Sequence, residues 1–360
     1  MKYKVLHSSD WHAGSGRNID KVNRGSLAYL DRMEGIWRGV IEVAKREQVQ
    51  FSIIAGDMFE SSNTTVEEFT RLYQVLRDFG KICPVICSAG NHDELSIGDF
   101  QTKYLALLNI PRVYVTQGEP VSLGLGYDGP HDSFSPVDAA LKPYRVLAMP
   151  WTGIKDQAEF DTKIREHYLN EPFVILHECF KNISTDTGYK AKFGVQPPDI
   201  PGINYYALGD IHKHQNVSLP HAWYSGSPGQ YNFGDKPRKG CIIIDVEHDT
   251  YTPRFVEIPS AIELHQISSL DEIPPLSPHW FQLIVPANKV PSAVPPNVKE
   301  IKPIPAKIDI PVEFSKEPEK AHLVTTNYVE GVLEYLTSAG YATEEIIPVI
   351  DELKQIVKAG

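Results

Sequence analysis

Cysteine is scarce in this chain. The 360 residues include four, with no paired spacing, which speaks against a disulfide framework and for a reducing compartment. No apolar segment of signal-peptide length follows Met1, and no apolar run is long enough to cross a bilayer, so the sequence reads as cytosolic. Positive charge is also in deficit. Lys and Arg total 35 against 46 Asp and Glu, a formal net charge of −11. That is the wrong sign for non-specific binding to nucleic acid, where cationic side chains displace counterions from phosphates. What remains is ordinary for a folded protein: 42% hydrophobic and 22% charged residues. The length suits two domains, or one large and one small.

Five apolar runs end in residues that can bind metal: VLHSSDWH (5–12), FSIIAGD (51–57), PVICSAGNHD (84–93), FVILHE (173–178) and YYALGDIH (205–212). Short runs of apolar and β-branched residues bounded by Gly or polar residues read as buried strands. Residues just past the carboxyl ends of strands in an α/β sheet collect at one edge, where ligands bind. The run-end residues are Asp10, His12, Asp57, Asn91, His92, His177, Asp210 and His212. Taken singly, several have blander readings. His177 alone reads as a semi-buried histidine, Asn91 as a turn residue and Asp57 as a helix N-cap. The recurrence at five strand ends outweighs those readings.

Four His, three Asp and one Asn make a mixed nitrogen and oxygen set without thiolate. Such a set favours Mn, Fe or Zn over Ca or a cysteine zinc site. It is also too large for one tetrahedral ion. Two ions about 3.5–4 Å apart, sharing a carboxylate, are the usual arrangement for hydrolysing phosphate esters. The residues therefore call for a two-metal phosphoesterase.

In order, D-x-H, G-D, G-N-H-D, a strand-end His and G-x-x-H resemble the calcineurin-like metallophosphoesterase superfamily. Within it, SSDWHAG (8–14), AGDMFES (55–61), SAGNHDE (88–94) and YYALGDIHKHQ (205–215) are similar to the DNA double-strand-break nucleases of the SbcD/Mre type. So is the segment YSGSPGQYNFGDKPRKGCIIIDVE (224–247) that follows the last motif. The resemblance covers about the first 250 residues and implies two central β-sheets flanked by helices, an α/β layered fold. It places Asp10, His12 and His212 on a first metal, Asp57 between two metals, and Asn91, His177 and Asp210 on the second. His92 becomes a non-ligand beside the scissile phosphate that steadies the transition state or protonates the leaving oxygen. Asp93 is expected to orient it. The cofactors implied are two divalent ions, foremost Mn. The chain departs from the pattern twice. Asp210 stands where the family commonly has His, and Glu60 is the nearest counterpart of a family His after the bridging Asp.

Further along, residues 26–48 and 66–79 read as amphipathic helices, the second capped by Thr64 or Thr65, and 144–151 as a core strand. The Gly- and Pro-containing stretch 181–203 reads as a long loop near two motifs, of the kind that contacts substrate. Trp11 reads as packing ahead of substrate contact, His7 as structural, and His214 has no defined role. Pro becomes frequent after residue 250, and the organisation expected is a nuclease domain (1–250), a small α+β capping domain (251–310), a linker (311–325) and a C-terminal helical segment (326–360). Residues 326–338 and 344–358 carry the i, i+3, i+4, i+7 pattern of amphipathic helices.

In the resembled family the C-terminal segment binds the coiled coil of an SbcC/Rad-fifty-type ATPase, and the protein dimerises. The function this implies is a Mn-dependent DNA nuclease, acting as double-strand exonuclease and single-strand endonuclease in an SbcCD-like repair or recombination complex. The acidic charge favours the alternative, a non-nuclease phosphatase or small-molecule phosphodiesterase of the same superfamily. Two basic clusters, Lys236, Arg238 and Lys239, and Arg17, Lys21 and Arg24, read either as DNA contacts or as solvated faces.

Overall fold

The computed structural model describes residues 2–17, 19–22, 27–61, 63–94, 107–125, 144–192 and 194–304. It contains two units, 1–305 and 306–360. The expected linker and C-terminal helices, and Arg24, lie outside the described residues.

The strands in chain order are β1 (Lys2–Ser8), β2 (Phe51–Ala55), β3 (Val85–Ser88), β4 (Val113–Thr116), β5 (Val121–Leu125), β6 (Tyr144–Ala148), β7 (Phe173–His177), β8 (Tyr205–Gly209), β9 (Gln215–Asn216), β10 (Ala222–Tyr224), β11 (Gly240–Glu247), β12 (Thr250–Glu257), β13 (Leu264–Ile267), β14 (Trp280–Pro286) and β15 (Val298–Ile304). The helices are α1 (Ala28–Glu47), α2 (Val66–Ile82), the single turn α3 (Asn91–Glu94) and α4 (Gln157–His167).

Two six-stranded sheets, in the orders β12-β11-β1-β2-β3-β4 and β5-β6-β7-β8-β10-β9, form the body of the protein. In the first sheet β1 to β4 run parallel, as do β6, β7, β8 and β10 in the second. Such strands are apolar on both faces because both faces are covered. Between the sheets Val5, Phe51 and Ile53 meet Val146, Phe173 and Ile175. On the outer face of the first sheet lie α1 and α2, through Trp37, Val40, Leu76 and Phe79. On the outer face of the second lie α4 and the 180–203 stretch, through Phe160, Ile164, Phe180 and Val195. The result is the layered α/β architecture expected, two central sheets flanked by helices.

The helix ends have local causes. Gln48 closes α1 in left-handed backbone, at φ +54°. Thr65 caps α2 by accepting from the Glu68 N–H while the Glu68 carboxylate accepts from the Thr65 N–H, a reciprocal box that satisfies two orphan donors.

Composition shifts near residue 250, but β11 and β12 pair across that point over Gly240–Glu257 as one hairpin of the first sheet. The separate three-stranded parallel sheet, β13-β14-β15, begins at Leu264. It joins the body through a small core of Ile19, Tyr29, Leu30, Phe233, Leu264 and Trp280, and through a buried ion pair of Lys299 with Asp20 at 2.8 Å.

His7 is structural. It is fully buried, with Nε2 3.2 Å from the Leu208 carbonyl oxygen and Nδ1 3.0 Å from the Tyr205 hydroxyl. A carbonyl only accepts, so Nε2 carries the proton and Nδ1 accepts from Tyr205. Burial pushes the imidazole down to about 3. The unfolded chain takes up this proton below about pH 6.5 and the native state does not, so His7 contributes stability above that pH that is lost as pH falls toward 3. Each unit in that window costs about 1.4 kcal/mol. We expect urea unfolding from pH 6.5 to 5 to show a shallower pH slope in His7→Gln than in wild type. An unchanged slope would remove His7 as the source.

Candidate metal centre

The structure brings the strand-end residues of both sheets together at one edge. Asp10 and His12 follow β1, Asp57 follows β2, Asn91 and His92 follow β3, His177 ends β7, and Asp210 and His212 follow β8. The chain turns sharply there. Asp10, His12, Asp57 and Asp210 have φ of +53°, +43°, +50° and +97°, left-handed conformations that cost on the order of 1–3 kcal/mol each and cluster at functional sites. Backbone bonds hold the turns: Asp10 N–H to the Gly56 carbonyl at 3.0 Å and His12 N–H to the Asp57 carbonyl at 2.9 Å. Asp210 N–H donates to Asp10 Oδ1 at 3.0 Å, and the Ser9 hydroxyl donates to Asp10 Oδ2.

Donor atoms of Asp10, His12 and His212 lie within 4.8 Å of one another, as do those of Asp10, Asp57 and His177, and those of His12, Glu60 and His92. His177 provides the sharpest test of whether this set fits a cation. Its Nδ1 lies 2.8 Å from the Ala55 carbonyl oxygen, so Nδ1 carries the proton. Nε2 then presents a lone pair to Asn91 Oδ1 at 3.0 Å, Asp57 Oδ2 at 3.3 Å and Asp210 Oδ1 at 4.0 Å. A lone pair facing a set of oxygens is satisfied only by a proton or a cation. His12 Nε2 also approaches His212 Nε2 to 3.1 Å, a contact that holds either one shared proton or a cation bound by both nitrogens. The residues fit divalent cations.

The electrostatics carry the same signature. Burial alone would lower His177, yet Asp57, Asp10 and Asp210 hold its protonated form well above the usual histidine range. Burial likewise opposes the charge on His12, but Glu60 and Asp57 raise it to about 9. His212, buried beside His12 and Lys239, is pushed well below its ordinary value. Burial and the neighbouring carboxylates raise Asp210 to about 6, and burial also raises Asp10. Asp57 goes the other way: burial opposes its charge, but His177 and His12 hold it well below the carboxylate range.

His92 is half-buried and borders a cleft of about 360 Å³ that also meets His12, Asp57, Glu60, Asp210 and His212. Its orientation differs from expectation. Asp93 forms no bond with His92; it turns inward and accepts from the backbone N–H of Gly90, Phe59 and Met58 at 3.0–3.2 Å. The partner of His92 Nδ1 is the Glu60 carbonyl oxygen at 2.6 Å. The His92 N–H in turn donates to Asp57 Oδ1 at 3.0 Å.

Three further residues, to which the motifs gave no role, support the site. The Glu60 carboxylate lies 3.0 Å from His12 Nδ1. The Tyr231 hydroxyl donates to the Asp10 carbonyl, and its ring packs edge-on against His12 and His212. Lys239 is buried, donating to Asp186 at 2.6 Å and to the His212 carbonyl at 2.7 Å. Tyr231 and Lys239 both lie in the segment that resembles the nuclease branch. The other basic residues of the two clusters are largely engaged: Arg17 with Glu68, Lys21 with Glu300, and Arg238 with Glu257 while lying over the Phe255 ring. Trp11 is fully buried between Trp37 and Phe79. His214 stacks on Trp223 and Phe255 and bonds the Tyr224 carbonyl.

Comparison with known proteins agrees with this geometry. The calcineurin-like phosphoesterase family matches residues 3–214. The SbcD component of the nuclease SbcCD from Escherichia coli K12 is 24% identical over 64% of this chain and 62% of its own length. The same-named protein of Staphylococcus saprophyticus is 23% identical over 73% and 71%. The DNA double-strand break repair protein Mre11 of Saccharolobus solfataricus is 23% identical over 68% and 61%. The chain thus spans somewhat under two thirds of the first and third of these relatives.

Glycines make room for the donors. A Cβ on Gly56, itself at φ +85°, would stand 1.9 Å from His177 Nδ1, and one on Gly90 would stand 2.2 Å from Asp57 Oδ1. We expect Gly90→Ala to weaken divalent-cation binding, read with Mn as the probe ion, by about tenfold in calorimetric titration while the far-ultraviolet dichroism stays native. Unchanged Mn affinity would show that Asp57 can move without loss.

Proposed function

Since the chain belongs to the calcineurin-like phosphoesterase family, we propose that it is a Mn-dependent DNA nuclease, the catalytic component of an SbcCD-like repair or recombination complex. It is a metal-dependent hydrolase of phosphoester bonds; the DNA substrate, the double-strand exonuclease and single-strand endonuclease activities and Mn are the proposal. The observation that carries it is the His177 lone pair among Asp57, Asn91 and Asp210, with His92 in the same cleft. The names of the relatives, a nuclease component and a double-strand break repair protein, support DNA as substrate.

Asp10, His12, Asp57 and His212 would hold one divalent ion and Asp57, Asn91, His177 and Asp210 the other. Bound there, such ions neutralise the phosphoryl oxygens and lower the pKa of water toward neutrality. The chain's own residues do the rest. Ala55, Glu60 and Asp10 fix the ring or backbone orientation of His177, His92 and Asp210. With Nδ1 bound to a carbonyl, His92 offers Nε2 to the phosphoryl group or the leaving oxygen, a proton-transfer role worth about 10²–10⁴-fold.

A homodimer and docking of an SbcC/Rad-fifty-type ATPase on the C-terminal helices belong to the same proposal, as does a cytoplasmic location. All four cysteines are free, which is in keeping with a reducing compartment. Among the described residues no helix is long and apolar enough to cross a membrane. The second reading, a phosphatase or small-molecule phosphodiesterase, draws on the net charge of −11 and the ion-paired basic residues.

End-labelled linear duplex incubated with Mn, Mg or no metal separates the readings. Shortening that needs metal and disappears in Asp57→Ala is the expected result. Hydrolysis of a small phosphodiester without any DNA cleavage would favour the second reading. His92→Ala should keep its metal content and lose about 10²–10⁴-fold in rate; full activity would remove His92 from the chemistry.

A further inference from the structure

A second cleft, of about 730 Å³, adjoins the metal centre and shares Asp210 with the His92 cleft. Asn91 and Asp210 of the donor set line it together with Trp151, Lys155, Lys181 and Lys192. It differs in character from the His92 cleft, which has no lysine in its lining. Lys155, Lys181 and Lys192 are exposed, and none forms an ion pair among the described residues. Other cations of the chain, Lys4, Arg17, Lys21, Arg71, Lys239 and Lys299 among them, are paired with carboxylates; these three are left to meet an anionic ligand. Of the acids at this cleft, Asp210 belongs to the donor set. Glu178 is buried, and its oxygen accepts from both the N–H and the hydroxyl of Thr152.

The walls are built for position. Trp151 N–H donates to the Ala89 carbonyl at 2.9 Å, tying the tryptophan to the strand end that carries Asn91. Its six-membered ring packs on Gly153, where a Cβ would stand 3.1 Å away. Glu178, one residue past His177, anchors the same turn through Thr152. Opposite, Lys181 N–H bonds the Val195 carbonyl, and Gly194, at φ +129°, lies so close to the chain at 179–181 that a Cβ would stand 2.4 Å from the Cys179 carbonyl. These bonds fix the backbone that carries the half-buried Trp151 indole and Lys181 at the same cleft as Asn91 and Asp210.

Unpaired cations that track a phosphate backbone, together with an aromatic face for bases, are the two components of a single-strand nucleic-acid groove. We propose that this cleft binds a single-stranded DNA segment adjoining the scissile phosphate, with Lys155, Lys181 and Lys192 on backbone phosphates and Trp151 stacking a base. The proposal rests on the nuclease reading above and extends it by assigning the strand that enters on the Asn91–Asp210 side. It also gives an acidic protein a local cationic surface for a polyanionic substrate, beside the metal-donor residues Asn91 and Asp210.

Fluorescence anisotropy of a labelled oligo-dT, on the full chain without added metal, tests this. Each lysine on a phosphate contributes about 0.7 to the slope of log affinity against log salt for single strands. The triple variant Lys155→Ala, Lys181→Ala, Lys192→Ala should therefore lower the slope by about 2. Trp151→Ala should weaken binding roughly tenfold with the slope unchanged. A charge-matched triple on other surfaces, Lys2→Ala, Lys45→Ala, Lys289→Ala, should leave the slope as in wild type.

If wild type cleaves DNA but the cleft triple has the wild-type slope, the cleft assignment is wrong and the nuclease reading stands. Equal slope losses for the cleft and control triples would also overturn it, as a general charge effect. A loss seen on blunt duplex and not on oligo-dT would reject the single-strand assignment in favour of duplex tracking. Hydrolysis of a small phosphodiester by a wild-type protein that binds no oligo-dT would overturn both readings.

Discussion

The site depends on the His177 ring, which bridges the two sheets. The ring ends β7 of the second sheet, and its Nδ1–H is taken by the carbonyl of Ala55 at the end of β2 in the first. That bond ties the two sheets together at the edge where the donor residues lie. It fixes the tautomer and turns Nε2 toward Asn91, Asp57 and Asp210. It also requires Gly56 and Gly90, because a methyl at either would collide with the ring or with the Asp57 carboxylate. The inter-sheet core of Phe51, Ile53, Phe173 and Ile175 stands immediately behind and supplies the rigidity.

Around that point the structure gathers groups that repel one another. Asp10 and Asp57 are buried together, and four of the strand-end residues are held in left-handed backbone. Such an arrangement is unfavourable by itself, both for the buried charge and for the strain. It persists because the surroundings over-determine it. Asp10 accepts from Ser9 and from the Asp210 N–H, Asp57 accepts from the His92 N–H, and Tyr231 fastens the Asp10 carbonyl. Divalent cations would relieve the remaining repulsion, the same electrostatic demand by which Asp57, Asp10 and Asp210 favour a positive charge at His177.

Charge is distributed as unevenly as strain. The chain is acidic, and many of its cations serve structure: Arg17 on the buried Glu68, Lys299 on Asp20, Lys239 beneath His212. Lys239 illustrates the difficulty of reading basic clusters from sequence. It sits in a run with Lys236 and Arg238, yet only 4% of its side chain is exposed, so it positions a metal-donor backbone and cannot reach solvent-borne DNA. The unpaired lysines of the second cleft are scattered over 38 positions of sequence, from Lys155 to Lys192, and form no run at all.

The sequence by itself determined the strands, the donor chemistry and much of the helix pattern. Strand runs such as FSIIA and FVILH are apolar throughout because sheets covered on both faces demand it, and α2 begins at the Thr65–Glu68 box. These are local properties, written within a few residues of where they act. Tertiary structure alone decided the partners of each side chain. Asp93 adjoins His92 in sequence but bonds Met58 and Phe59, and His92 is oriented by Glu60, 32 residues away. His7 meets Tyr205 across 198 residues, and Asp210 meets Asp10 across 200. A hydrogen bond depends on direction as well as proximity. Both are fixed only when the two sheets close over their common core, so residue identity can name the donors of this site but not what holds them.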